Sequence, residues 1–206
     1  MAKRIKRILI IGDSFAAEYP DSDLGWSNLL SGAFEVTNLA QAGVSEYKIF
    51  KQLQTADLNL FDLVIACHTS PYRVHTKQHP VHRTQLHKNC DLILADIDAH
   101  NSFFNPSLRA AKAWFKYHSD DQYLEDTYKL YRQTIENIIT FSLPCLNIDN
   151  LKSSLPFASE LWKLDLTDFW EEHRGNINHY TIQGNQLLCA MIIKEIEKYE
   201  SLYHNR

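Results

Sequence analysis

The chain has 206 residues, 45% of them hydrophobic and 22% charged, with a formal net charge of −4. That composition excludes a disordered or collagen-like chain and suffices for one sizeable core, so a single domain spanning 1–206 is expected. The acidic balance argues against a broad nucleic-acid or anionic-membrane footprint, because both are held through clustered Lys and Arg. The apolar run before Gly12 is too short for a signal peptide and no segment has the length of a membrane-spanning helix, so a cytoplasmic protein is expected. Cys67, Cys90, Cys145 and Cys189 are scattered without the close pairs of zinc or redox motifs, and read as free thiols, three of them within apolar runs.

In chain order, Arg7 to Gly12 is a continuous apolar run ending in Gly, as in a strand buried on both faces of a parallel sheet. Gly25 to Phe34 carries Trp26, Leu29 and Leu30 at helical spacing, and Phe34 to Leu39 reads as a second strand. Ser45 is placed to cap a helix bearing Ile49, Phe50 and Leu53, and Phe61 to Cys67 forms a third strand. Residues 68 to 120 are rich in His, Asn and Asp, with a short helix predicted over Ser107 to His118, so an insertion or lid is expected at about 71–120. From Asp121 the spacing of Leu124, Tyr128, Tyr131, Ile135 and Ile138 predicts an amphipathic helix; Pro144 to Ile148 reads as a strand, and a last helix starts at about Ile182. Alternating strands and helices predict an α/β fold, a three-layer flavodoxin-like parallel sheet with helices on both faces. Ligands of such sheets lie beyond the carboxyl ends of the strands. Ser14, the 40–45 loop and the 68–73 loop belong there.

Gly12-Asp13-Ser14 puts a hydroxyl directly after the first strand, where the next turn supplies backbone N–H groups. Alone, the tripeptide reads better as a turn in which Asp13 or Ser14 caps the following segment. With its surroundings it resembles the SGNH hydrolases, the GDSL esterase/lipase family. Ile10 to Ser14 resembles that family's first block, Gly25 to Leu30 the helix that follows, and Asn38 to Ser45 its second block. Asn178-His179-Tyr180-Thr181-Ile182-Gln183-Gly184 is similar to the last block, in which the catalytic His precedes the final helix and a Gly follows five residues later. The resemblance implies Ser14 as nucleophile, His179 as its base, and backbone N–H groups of Ser14 and Gly43 in the oxyanion hole, with no metal or organic cofactor.

Two blocks depart from the family pattern. Where the third block reads Gly-x-Asn-Asp, this chain reads His68-Thr69-Ser70-Pro71, so Ser70 takes the oxyanion-hole Asn's place with a single O–H donor. Where the family places an acid shortly before the His, this chain has Asn176 and Asn178; Asn176 is the candidate for orienting His179 through its carbonyl, which fixes a tautomer without balancing charge. Asp165, Asp168, Glu171 and Glu172 lie further upstream as alternatives.

His68, His75, His79, His82 and His87 are spaced by seven, four, three and five residues, which fits no zinc motif, so a solvated or substrate-facing loop and no metal are expected. Arg73, Lys77, Arg83 and Lys88 add a small basic surface. His68, Arg73 and Trp170 are the substrate-binding candidates; Trp162 reads either as a ring-stacking residue or as a seal on the sheet edge, and most of Trp114, Phe115, Tyr117, Tyr123, Tyr128 and Tyr131 as core packing. The expected activity is a serine-dependent ester hydrolase or acyl transferase on a small acyl ester, such as O-acetyl on a carbohydrate. Its expected partner is a small-molecule or glycan ester, with no nucleic acid and no membrane span. The alternative is a non-catalytic glycan- or protein-binding module of the same fold. A flavin or nucleotide binder is disfavoured because the first strand is not followed by a Gly-rich phosphate cradle.

Overall fold

The computed structural model describes residues 4–18, 24–83, 85–149 and 162–204. In chain order its elements are β1 (Arg7–Gly12), α1 (Trp26–Leu29), β2 (Glu35–Asn38), α2 (Glu46–Thr55), β3 (Leu63–His68), α3 (Leu94–Ala99), α4 (Pro106–Tyr117), α5 (Asp121–Thr140), β4 (Cys145–Asp149), β5 (Lys163–Asp165), α6 (Thr167–Glu172), β6 (Arg174–Ile177) and α7 (Ile182–His204). Five strands form a sheet in the order β2-β1-β3-β4-β5, and every adjacent pair is parallel. The fold is the expected three-layer α/β arrangement.

The continuous apolar run of β1 follows from burial on both faces. Ile8 and Ile10 pack into a core shared with Trp26 and Leu30 on one side of the sheet and with Leu188, Ile192 and Ile196 of α7. Leu9 and Ile11 point the other way, into a core built with Ile49 and Leu53 of α2 and Ile135 and Ile139 of α5. Alternate side chains of a strand face opposite ways, so a strand covered on both sides has no polar positions to offer. A third, small apolar cluster of Ile97, Leu108 and Ala111 lies within the 71–120 segment, where Val74 and Leu92 form an antiparallel bridge.

The helices start where the sequence supplies caps. Asn105 accepts from the Leu108 amide at the start of α4, and Asp120 from the Tyr123 amide at the start of α5. Ser45 stands at the N-cap of α2 as expected, yet its hydroxyl makes no capping bond; its backbone N–H instead donates to Asp91 Oδ2 at 2.8 Å. The sequence reading missed β5, α3, α6 and β6.

The chain leaves β1 toward β2 on one side and returns to β3 on the other, which makes the β1/β3 carboxyl ends the switch point where a crevice opens. The two strand ends approach closely there. A Cβ on Gly12 would lie 2.6 Å from Cys67 Cβ, so glycine is required. The end of β1 is further tied by Gln52, whose buried amide group accepts from Gly12 N at 2.8 Å and donates to Gly12 O at 3.0 Å.

Candidate active site

The turn after β1 is built on Asp13, whose carbonyl accepts from Ala16 and Ala17 and whose carboxylate accepts from the Phe15 amide at 2.9 Å. Burial carries Asp13 up to about 6, although the Arg73 charge pulls the other way. This turn leaves the Ser14 N–H pointing out of the chain's own hydrogen bonding. Among the described residues neither that N–H nor that of Gly43 finds an acceptor. Gly43 has φ 72, a left-handed conformation that suits glycine, and a Cβ there would lie 2.8 Å from Cys90 Cβ.

His179 arrives from the other end of the chain. It and Asn178 both hold left-handed backbone, at φ 64 and 50, a costly arrangement for non-glycine residues that surrounding contacts must enforce. Three sets of contacts do so. Asn178, fully buried, donates through Nδ2 to Phe15 O (3.2 Å) and Ala17 O (2.9 Å). Asn185 on α7 accepts from Trp26 N at 2.9 Å and donates to Ile177 O at 2.9 Å and Thr181 O at 3.1 Å. The Gly175 amide donates to His179 O at 3.0 Å. Together they join the last block of the chain to the first.

The result places His179 Nε2 2.8 Å from Ser14 Oγ. The Phe15 ring flanks the imidazole at 4.4 Å between centroids. Burial first, then the Arg73 and His87 charges, lower the His179 pKa below its ordinary value, which favours the neutral ring that accepts a proton. With Nε2 accepting from the serine hydroxyl, the ring proton sits on Nδ1. Among the described residues no carboxylate bonds to Nδ1. Ser14, Gly43, Arg73, His82, His87 and His179 help line a cleft of about 190 Å³. Arg73 also borders a neighbouring cavity of about 380 Å³ walled by Tyr47, Trp114, Tyr123, Tyr128 and Tyr131.

No protein-family profile and no curated protein matches the sequence. Among solved structures, a member of the lipolytic protein G-D-S-L family from Veillonella parvula DSM 2008 superposes with a TM-score of 0.51 at 10% identity, covering 92% of this chain and 97% of that one. The chain has the SGNH-hydrolase fold. An extracellular lipase from Streptomyces rimosus aligns more loosely, with a TM-score of 0.36 at 11% identity over 97% of this chain and 77% of that one.

Within this SGNH fold several expected site residues stand elsewhere. His68 is fully buried, not substrate-facing: its Nδ1 lies 2.6 Å from Glu46 Oε1 and its Nε2 3.0 Å from Asn147 Oδ1. Burial pushes its pKa down, but the Glu46 carboxylate more than reverses this and holds it above the ordinary value. Ser70 does not line the Ser14 cleft; it borders the aromatic cavity, and its hydroxyl accepts from the Tyr72 amide at 3.3 Å. Asn176 is exposed and makes no bond to His179, because β6 turns its side chain outward. Asp165 instead accepts from the Thr167 amide and Glu171 pairs with Arg174, and neither bonds to His179. Trp170 is not a cleft residue either. It stands edge-on to Phe15 at 5.9 Å and carries the Arg174 guanidinium 4.1 Å over its ring. Trp162 stacks on Tyr199 at 4.8 Å and seals the α7 side of the sheet.

The histidine-rich segment is more ordered than a solvated loop. His79 is buried, and ligand-type atoms of His79, His82 and Asp96 lie within 4.8 Å of one another. His79 Nδ1, however, accepts from the Val81 and His82 amides at 3.2 and 3.0 Å, so a neutral ring carries its proton on Nε2. That N–H lies 3.2 Å from Asp96 Oδ2 without forming a hydrogen bond to it, and the nitrogen lacks the lone pair a metal ligand needs. His82 Nε2 reaches Asp96 at 3.0 Å. The group reads as a hydrogen-bonded cluster at the rim of the cleft.

Proposed function

We propose that the protein is a serine-dependent ester hydrolase or acyl transferase that acts on small acyl esters. The observation that carries this reading is the 2.8 Å contact between Ser14 Oγ and His179 Nε2 at the switch point of the sheet. His179 takes the hydroxyl proton as Ser14 Oγ attacks the ester carbonyl, and the tetrahedral intermediate collapses when the leaving alcohol takes that proton back. The acyl-enzyme is then attacked by water or an acceptor hydroxyl, with His179 again as base. The N–H groups of Ser14 and Gly43, without an acceptor among the described residues, suit the oxyanion. A cleft of about 190 Å³ suits an acyl group as small as acetyl, and the adjoining aromatic cavity suits a sugar ring on the alcohol side.

Among the described residues no carboxylate meets His179 Nδ1 to balance the imidazolium of the transition state, which favours a second reading, a non-catalytic binding module. A fluorophosphonate separates the two. Stoichiometric labelling of Ser14, abolished in His179→Ala, is the expected outcome; a folded protein that resists labelling at any concentration supports the binding module.

A further inference from the structure

The position after β3 that would supply a side-chain oxyanion donor is occupied by Ser70, which faces away from the cleft. Three residues further on, Arg73 turns back across the strand ends. Its Nε donates to Thr69 Oγ1 at 3.2 Å, and one terminal nitrogen donates to Gly43 O at 3.2 Å. These two bonds fix the plane of the guanidinium against both the 40–45 loop and the end of β3. Its other terminal nitrogen has no acceptor among the described residues, and no carboxylate lies within ion-pair distance of it. A half-buried guanidinium ordinarily pairs with a carboxylate. This one is pinned by neutral groups in the wall of the cleft that holds Ser14, Gly43 and His179.

We propose that the Arg73 guanidinium, held between Thr69 and Gly43 in the wall of the Ser14 cleft, completes the oxyanion hole in place of a side-chain amide. The inference rests on the esterase reading above. As the Ser14 Oγ–carbon bond forms, the carbonyl π pair moves onto oxygen and the hydroxyl proton moves to His179 Nε2. Arg73 donates a hydrogen bond to that oxygen and transfers no proton. On collapse the pair returns to the carbonyl, and the alcohol leaves with the proton from His179. The negative oxygen then forms between two positive groups, guanidinium and imidazolium, and its charge offsets the repulsion between them; the guanidinium stabilises the oxygen and does not take the place of a carboxylate on Nδ1.

The test uses p-nitrophenyl acetate, a neutral ester, with wild type, Arg73→Ala, Arg73→Lys and Ser14→Ala. Arg73→Ala should lower kcat by about 10²–10³ with KM within a few-fold, as for loss of one oxyanion donor. Millimolar guanidinium ion should restore part of kcat in Arg73→Ala and none in Ser14→Ala, and Arg73→Lys should fall between. A merely structural arginine would give a lowered melting temperature and no guanidinium rescue, and an arginine that anchors an anionic part of the substrate would leave kcat on this neutral ester unchanged; either result overturns the inference. Turnover lost in Ser14→Ala but kept in Arg73→Ala removes the inference and leaves the esterase reading standing, whereas absence of wild-type turnover removes both.

Discussion

Asn178 offers the sharpest test of how the fold sets the site. Replacing it by Ala strips hydrogen bonds from the buried Phe15 and Ala17 carbonyls, each worth about 1 kcal/mol net. It also puts a Cβ residue with no compensating polar group at φ 50, which costs about 1–2 kcal/mol. Against this, Asn178 Oδ1 is buried without a hydrogen-bond partner, and its removal returns about 1 kcal/mol. The net loss is about 2–3 kcal/mol, a fall in melting temperature of about 4–12 °C for a chain of this size. Asn178→Gly loses the same hydrogen bonds without the left-handed penalty, so it should be more stable than Asn178→Ala by about 1 kcal/mol. Urea unfolding followed by far-UV circular dichroism reads both differences. Both variants remain folded at 25 °C, so the kcat loss of tenfold or more expected for Asn178→Ala reports a displaced His179, not unfolding. An Asn178→Ala protein within about 0.5 kcal/mol of wild type, or a Gly variant less stable than the Ala variant, would refute the reasoning.

Three further outcomes follow from the same geometry. Burial and the Arg73 and His87 charges depress His179, so kcat/KM should rise with pH through a midpoint below 6.5 and be level at neutral pH; a midpoint above 7 contradicts the assignment. Asp13, raised to about 6 by burial, titrates in the same window, and Asp13→Asn should leave the His179 limb in place. Arg132 holds Asp149 by two bonds of 2.8 and 3.0 Å in the core; burial pushes Asp149 up, but Arg132 and His68 outweigh it and keep it ionised. Arg132→Leu leaves Asp149 with the partly exposed Lys163 ammonium, 2.8 Å from Oδ2, as its direct cation partner, so the cost in urea unfolding at pH 7 should fall at or below the low end of the roughly 3–5 kcal/mol that breaking a buried pair costs. Because the Asp149 pKa is depressed, the pair's contribution is complete above the ordinary carboxylate range and is lost as pH falls below about 4. All four cysteines are free and buried, so Ellman's reagent should titrate none in the native protein and four in urea; a fast-reacting native thiol would contradict the packing of that cysteine.

The parts of the fold that were legible in the sequence are those with local signals. β1 and β3 are wholly or almost wholly buried and therefore run apolar from end to end but for Arg7 and His68, β4 is buried yet carries Asn147 and Asp149 among its apolar positions, and α5 shows its periodicity because only one face packs on the sheet. β5 was invisible because a three-residue edge strand with one half-buried position carries no pattern. Ser14, Gly43 and His179 were marked by blocks close to strand and helix ends, where function concentrates. His68 was misplaced because its partner, Glu46, lies 22 residues earlier and only the fold brings them together. The roles of Asn178 and Asn185 as ties between the two ends of the chain depend on contacts across more than 150 residues, to Phe15, Ala17 and Trp26. Ser70 and Asn176 fill the right positions in the chain, but the backbone turns both away from the reacting groups.

The central claim, that Ser14 and His179 form a working nucleophile and base, is tested most directly by hydrolysis of p-nitrophenyl esters from acetate to octanoate. Wild type should turn over the short esters, and Ser14→Ala and His179→Ala should each lose that activity while melting at the wild-type temperature. Equal turnover by wild type and the two variants, or none by any of the three, would contradict it.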